Sequence, residues 1–418
     1  MSILDLITLL ILLATIFSMI NLIFLKLPST IGLMIIGLVL SLVVMGLGHI
    51  FPDISKIAHE VVGGFDFKEV LMNVMLSFLL FAGAISMDIK KLLEEKWPIL
   101  ILATFGVLFT TFIIGTIFYY TLQYIHYDVD YLYCLLFGAL ISPTDPIAVL
   151  ALVKKAGLSK NLETKIAGES LFNDGIGVVV FLGIAGVIES GAGAEPSFHF
   201  GELGWLLLTE VGGGVVLGLV LGFVGRRILA FIDNEHAEIE VLVTLTLVLG
   251  GNRIAEILHH VSGPLAIVTM GLILSKEGQQ QKTEAVTGEY VYKFWHLLDE
   301  ALNAILFILI GFEIIVISEK YSIDLFAITL ITIPIVLLAR FLGVALPVSI
   351  LQFFRSFEKN TIAILTWGGL RGGLSVAMAL SLPEGVPEEV RNMILVTTYS
   401  IVVFSICIQG LTINKLIR

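Results

Sequence analysis

Apolar residues in this chain come in long unbroken runs, separated by short stretches that hold most of the charge. The period-two alternation of a membrane barrel does not appear in these runs. Thirteen apolar segments are predicted as helices: 3–25, 30–48, 70–88, 97–122, 131–153, 163–188, 203–231, 238–258, 262–275, 296–318, 323–352, 360–382 and 391–414. Most of them reach the ~20 residues that a helix needs to cross a hydrocarbon core, and the ninth is short. The predicted fold is an all-α polytopic membrane protein, one transmembrane domain over residues 1–418 with no space for a soluble domain. Residues 3–25 read as a retained helix, because neither a basic n-region nor a small-residue cleavage site accompanies them.

Composition agrees. The chain is 57% hydrophobic and 14% charged, where soluble domains carry about 25% charge. That excludes a cytosolic enzyme and a disordered scaffold, and the net charge of −11 argues against nucleic acid as a partner. Cys134 and Cys407 both lie in apolar runs, so they read as small buried residues instead of a disulfide or a metal site. Basic residues mark the cytoplasmic side. With the N-terminus outside, seventeen of the 24 Lys and Arg residues fall on inner segments, Lys90, Lys91, Lys154, Lys155 and Lys160 among them. Only Lys56, Lys68, Lys320 and Arg391 fall on outer ones. The bias predicts an odd number of spans, with the N-terminus outside and the C-terminus cytoplasmic.

Two segments are interrupted. Segment five breaks at Ser142-Pro143-Thr144-Asp145-Pro146, and segment twelve at Gly368-Gly369-Leu370-Arg371-Gly372-Gly373. The seven-segment offset between them pairs segments one to six with eight to thirteen. Two inverted six-helix repeats with broken helices 5 and 12 follow from that pairing. Interrupted spans in corresponding positions point to a secondary transporter's site near the midplane. Gly and Pro are common in membrane helices, but here each break also contains an ionisable residue.

A charge at the bilayer centre costs at least ~2.5–3.5 kcal/mol, so intramembrane charges are candidates for function. The central set is Asp145, Glu169, Asp174, Arg340 and Arg371. In segment six, Ser170 and Asp174 share one helix face and Glu169 and Asn173 another. Glu169 and Asp174, five residues apart, point about 140° away from each other. Asp174 and Ser170 offer a carboxylate and a hydroxyl on one face, the oxygen ligands that hard cations take. The Thr144 hydroxyl, the Asp145 carboxylate and carbonyls freed by Pro143 and Pro146 could face the same cavity. Asp145 has a plainer reading as a helix-capping carboxylate against half-helix N-termini. Glu169 needs a cation, for which Arg340 is the natural partner and Arg371 the competitor. Arg371 could instead offset half-helix C-termini or contact Asp145.

Weaker features are the His259–His260 pair at the end of segment eight, and Glu210, Glu256 and Glu313 toward span regions. Asp299 and Glu300 read as acidic residues opening segment ten. The glycines 212–214, with Gly218 and Gly222, permit close helix approach, either within the chain or between copies.

The segments Ser142-Pro-Thr-Asp-Pro146, Glu169-Ser-Leu-Phe-Asn-Asp174, Ala339-Arg340-Phe-Leu-Gly343 and Gly368-Gly-Leu-Arg-Gly-Gly373 resemble the monovalent cation:proton antiporters of the sodium/proton exchanger family, in its prokaryotic NhaP-type branch. The similarity covers all thirteen segments. It implies a homodimer in a prokaryotic plasma membrane and an Asn-Asp site motif of electroneutral members. It also implies an elevator-like core over 97–189 and 323–418 against scaffold helices in 1–96 and 203–318. By that resemblance Asp174 carries the cation or proton, Ser170, Thr144 and Asp145 line the site, Asn173 supports it, and Glu169 pairs with Arg340. Ala82 stands where some members have a glutamate.

The expected function is one-for-one exchange of Na+ (or Li+ or K+) for H+ in pH homeostasis, with no cofactor and no enzymatic activity. A single carboxylate that carries either ion across makes the exchange electroneutral. A K+-selective antiporter is the near alternative and a passive cation channel the alternative of a different class. An intramembrane hydrolase finds no Ser–His, Ser–Lys or H-E-x-x-H pattern in the sequence.

Overall fold

The structure, a computed structural model, describes residues 3–51, 53, 70–155, 157–190, 200–232, 236–258, 261–275 and 286–417. In chain order the helices are α1 (Ile3–Ile20), α2 (Ser29–Ile50), α3 (Leu76–Ile85), α4 (Ile89–Glu94), α5 (Lys96–Tyr124) and α6 (Tyr131–Ile141). Then come α7 (Ile147–Lys155), α8 (Lys160–Ser190), α9 (Phe200–Phe231), α10 (Ala237–Leu258) and α11 (Gly263–Leu274). Then follow α12 (Val286–Ile317), α13 (Ile323–Leu351), α14 (Thr361–Trp367), α15 (Gly373–Leu380) and α16 (Glu388–Phe404), which a π-helical turn and two short helical pieces extend to Ile417.

Among the described residues nine helices are long and apolar enough to cross a membrane, and Val70–Ile85, Tyr131–Ile141 and Gly263–Leu274 are shorter apolar ones. The chain is therefore an all-helical, multi-pass membrane protein. In hydrocarbon each backbone N–H and C=O must be satisfied within the protein, which helices achieve along their length. Their ends need other partners. Asp130 caps α6 by accepting from the Leu132 N–H at 2.8 Å, and Ser262 caps α11 by accepting from the Leu265 N–H at 3.3 Å.

The helices pack in two groups. In one, α12 lies against α2 and α3, and α11 lies against α3, α9 and α10. In the other, α5 lies against α6, α8 and α13, and α13 against α14 and α16. The groups meet where α8 touches α9 and α11, and where α12 touches α15.

One boundary differs from expectation by more than two turns. Helix α12 starts at Val286, well before the predicted boundary at 296, because polar residues on one face hide the helix from an apolar count. Asp299 and Glu300 are thus mid-helix instead of opening it. The glycines of α9 serve packing within the chain: a Cβ on Gly214 would stand 2.7 Å from the Ser262 carbonyl oxygen, and one on Gly218 2.5 Å from that of Ala266. A Cβ on Gly212 would meet nothing within 4 Å.

Gly218→Ala is expected to lower stability by ~1–3 kcal/mol through overpacking of α9 on α11, while Gly212→Ala stays near wild type. Melting of both variants in detergent tests this; equal melting temperatures would remove the packing role of Gly218.

Candidate functional site

The site is built on two broken helices that meet at their breaks. Helix α6 stops at Ile141 and α7 resumes at Ile147, because Pro143 and Pro146 have no N–H to continue the ladder. Helix α14 stops at Trp367 and α15 resumes at Gly373. The two breaks join through one antiparallel bridge, in which the Asp145 N–H donates to the Leu370 carbonyl at 2.8 Å. Four half-helix ends therefore converge, and their backbone groups need partners.

Charged side chains supply several of those partners. Arg371, 2% exposed, donates from Nη1 to the carbonyls of Ser142 (2.5 Å) and Pro143 (2.9 Å), at the C-terminal end of α6. Arg340 donates from Nε and Nη2 to the Leu365 carbonyl of α14, at 3.2 and 3.0 Å. Its Nη1 donates to Glu169 Oε1 at 2.5 Å. A Cβ on Gly369 would lie 2.4 Å from Arg340 Nε, so only glycine leaves the guanidinium its place. At the opposite poles, Asp145 Oδ1 accepts from the Ile147 N–H of α7 at 2.9 Å. A Cβ on Gly372, the residue before α15, would come within 2.7 Å of Asp145 Oδ2. One carboxylate thus stands at two positive helix ends, and two guanidiniums stand at two negative ones.

The alternatives left open by the sequence divide accordingly. Glu169 meets Arg340, and Arg371 meets carbonyls. Asp145 has the capping geometry and faces the cavity as well. The carbonyls expected to be free are not: those of Ser142 and Pro143 accept from Arg371, that of Thr144 from the Ser170 hydroxyl, and that of Leu370 from Asp145. Each keeps a second lone pair.

Helix α8 supplies the other wall. Asn173 grips Thr144 twice: its Nδ2 donates to Thr144 Oγ1 at 2.8 Å, and its Oδ1 accepts from the Thr144 N–H at 3.3 Å. At the next residue, the Asp174 carboxylate is partly exposed and has no hydrogen bond or ion pair among the described residues. It opens onto a cavity of about 310 Å³ that Thr144, Asp145, Ser170 and Ala82 also line. Ala82 contributes no polar atom there. Among the described residues no three His, Cys, Asp or Glu side chains converge as a metal cluster would require. The oxygens gathered here are carboxylate, hydroxyl and carbonyl, a donor set suited to a hard monovalent cation.

Two cavity-lining residues were not singled out from the sequence, His296 and Asn303, and a third, Asp299, was read there only as an acidic residue opening segment ten. His296, Asp299 and Asn303 reach the cavity from α12. Their three- and four-residue spacing is the signal that could have found them, had the helix been started at Val286. Of the weaker candidates, Glu256 is a surface partner of Arg253 at 2.6 Å, and Glu313 is buried in α12. His259 and His260 lie outside the described residues. Cys134 and Cys407 are both free thiols.

The family description "Sodium/hydrogen exchanger, transmembrane" matches residues 9–418. The chain belongs to the sodium/hydrogen exchanger family. That is a family of transporters, not of enzymes. The chain is 46% identical to the Na(+)/H(+) antiporter NhaP of Pseudomonas aeruginosa, over 99% of this chain and 96% of that one. It is 33% identical to the Na(+)/H(+) antiporter NhaH of Halobacillus dabanensis, over 94% and 92% of the two chains. Among solved structures, the sodium proton antiporter MjNhaP1 of Methanocaldococcus jannaschii at pH 8 superposes with a TM-score of 0.75 at 24% identity, covering 100% of this chain and 99% of that one. This last likeness concerns the fold.

In this exchanger-family chain Glu169 and Arg340 are 2% and 7% exposed, so removing either leaves a buried charge. Glu169→Ala is expected to destabilise the protein by ~3–5 kcal/mol. A thermal melt in detergent checks it, and an unchanged melting temperature combined with lost transport would give Glu169 a role in ion handling instead.

Proposed function

We propose that this chain is a secondary active antiporter exchanging Na+ for H+, with Asp174 as the group for which the two ions compete. The observation that carries this reading is the Asp174 carboxylate itself: among the described residues it has no protein partner, and it faces a cavity shared with Asp145, Ser170 and Thr144. A carboxylate within the membrane-spanning region that has no protein cation must be neutralised by something that arrives. A proton does so by forming the acid, and Na+ does so by binding the carboxylate and the neighbouring oxygens. Taking up one releases the other, so each passage across the membrane carries a neutral site. Na+ is favoured because relatives in the same family bear the name Na(+)/H(+) antiporter; Li+ and K+ are the alternatives for the cation.

One-for-one stoichiometry needs every other central charge to stay fixed. Glu169 is occupied by Arg340, and Asp145 is held by the Ile147 N–H between two helix N-termini. Asp174 alone is then free to change partner. The two packing groups support an elevator movement: α5–α8 and α13–α16, within 97–189 and 323–418, form the mobile core. The helices of 1–96 and 203–318 form the scaffold. Apolar side chains such as Phe24, Trp205 and Phe223 are exposed on α1, its continuation and α9, open to lipid and to the second copy of a homodimer. The lysine and arginine distribution supports an N-out, C-in arrangement in the plasma membrane of a prokaryote.

Asp174→Asn is expected to abolish Na+-dependent proton movement in proteoliposomes while the protein remains monodisperse. Normal exchange by this variant would refute the competition mechanism. In wild-type vesicles a proton gradient is expected to drive Na+ uphill, which a passive channel never does. Repeating the assay with Li+ and K+ identifies the cation.

The exchange rate is expected to stay constant when a potential of about 100 mV is imposed, since no net charge crosses (a single moved charge would feel ~2.3 kcal/mol). A rate that follows the potential would exclude one-for-one exchange.

A further inference from the structure

We propose that Asp299 and Asn303 form a second, weaker station for a monovalent cation on the cavity wall facing Asp174, where the ion pauses between the aqueous opening and the exchange site. The proposal rests on the exchanger reading and adds to it a place where the ion is held before Asp174. Both residues line the cavity that contains Asp174, Asp145, Ser170 and Thr144, but they project from α12, in the other packing group.

The chemistry of the pair is that of a cation site. Asn303 Nδ2 donates to the Asp299 carbonyl at 2.9 Å and to Asp299 Oδ1 at 3.0 Å. Both partners are acceptors, so the amide orientation is fixed and Asn303 Oδ1 points away from them. That oxygen is buried without any hydrogen-bond partner, in a residue 3% exposed. A buried acceptor in this condition calls for a donor or a cation. Asp299 supplies the charge: among the described residues no Lys, Arg or His lies within ion-pair distance of it. The neighbouring His296, one turn before, lies 3.8 Å from Glu300 and also interacts electrostatically with Asp299. Asn303 thus holds one carboxylate oxygen of Asp299 in place, while its own oxygen is left without a protein donor. Lys154, exposed at the rim, and Asp145, which interacts electrostatically with Asp299 across the cavity, are the other charged groups on this wall besides Asp174.

The cavity has space for the traffic this implies. At 310 Å³ it holds about ten water-sized volumes. A partly hydrated cation can occupy one station while the other is vacant. The rim, marked by Lys154, Ser86 and His296, lies on the side that the basic residues assign to the cytoplasm. Because Asp174 is on α8 and Asp299 on α12, movement of one group past the other changes their separation. The station would then serve cations that arrive from the cytoplasmic side and not those from outside.

That asymmetry is the test. The full chain is expressed in cells without other Na+/H+ exchange, and half-saturating Na+ is measured by proton movement in everted and in right-side-out vesicles. Asp299→Asn is expected to raise half-saturating Na+ about fivefold in everted vesicles, the factor made by ~1 kcal/mol. The value in right-side-out vesicles is expected to change less than about twofold. Asn303→Asp, which adds a second carboxylate to the station, is expected to lower half-saturating Na+ on the cytoplasmic side, and it provides the readout if Asp299→Asn does not assemble. An unchanged value in everted vesicles, or an equal change on both sides, overturns the station and leaves the exchanger reading intact. Wild-type vesicles with no Na+-dependent proton movement overturn both.

Discussion

A helix that stops halfway across a bilayer leaves its last carbonyls or its first N–H groups without partners of its own, in surroundings that supply few others. Two helices in this chain do so at the same level, and the rest of the centre is arranged to satisfy those four ends. Arg371 and Arg340 reach the carbonyl ends of α6 and α14. Asp145 stands at the N–H ends of α7 and α15, and its own backbone ties one break to the other. Gly369 and Gly372 are without side chains because a guanidinium and a carboxylate occupy the space. The charges that look improbable in an apolar sequence are thus conditions for the breaks to exist, before any question of transport arises.

The same constraint singles out Asp174. Glu169 is the counter-charge that lets Arg340 remain at its carbonyl. Asn173 and Ser170 are engaged with Thr144, fixing the break against α8. After these groups are assigned, the carboxylate of Asp174 alone on α8 faces the cavity without a protein partner among the described residues. Rigidity around it has a functional meaning, since discrimination between a proton and a cation depends on neighbouring oxygens that keep their positions.

Much of this was legible beforehand, for identifiable reasons. Proline lacks a donor wherever it occurs, so the break at 142–146 could be read from the sequence alone. The helical period separates Glu169 from Asp174 before any coordinates exist, and a guanidinium at residue 340 is an obvious partner for a buried glutamate. Other features depend on three-dimensional proximity. Whether Arg371 would meet Glu169, Asp145 or carbonyls turns on how the two breaks cross, which no local pattern states. The partner of the α9 glycines was open for the same reason, and the structure places α11 against them. Asp299 was misread because the apolar count began α12 too late: the first turns of the helix present an exposed polar face, where Lys293 pairs with Glu289, and look over that stretch like a loop.

The charges at the crossing also bear on stoichiometry. Three carboxylates, Asp145, Glu169 and Asp174, stand with two guanidiniums, Arg340 and Arg371, which leaves one net negative charge. The four half-helix ends cancel in pairs, two positive and two negative. A cluster with one uncompensated negative charge in a low-dielectric region is most stable with one monovalent cation or one proton bound, and a second of either would reverse the imbalance. Ala82 matters in this light, because a further carboxylate at that point of the cavity wall would make the deficit two. The apolar residue there adds no charge to the crossing of the two breaks, which supports the electroneutral exchange proposed above.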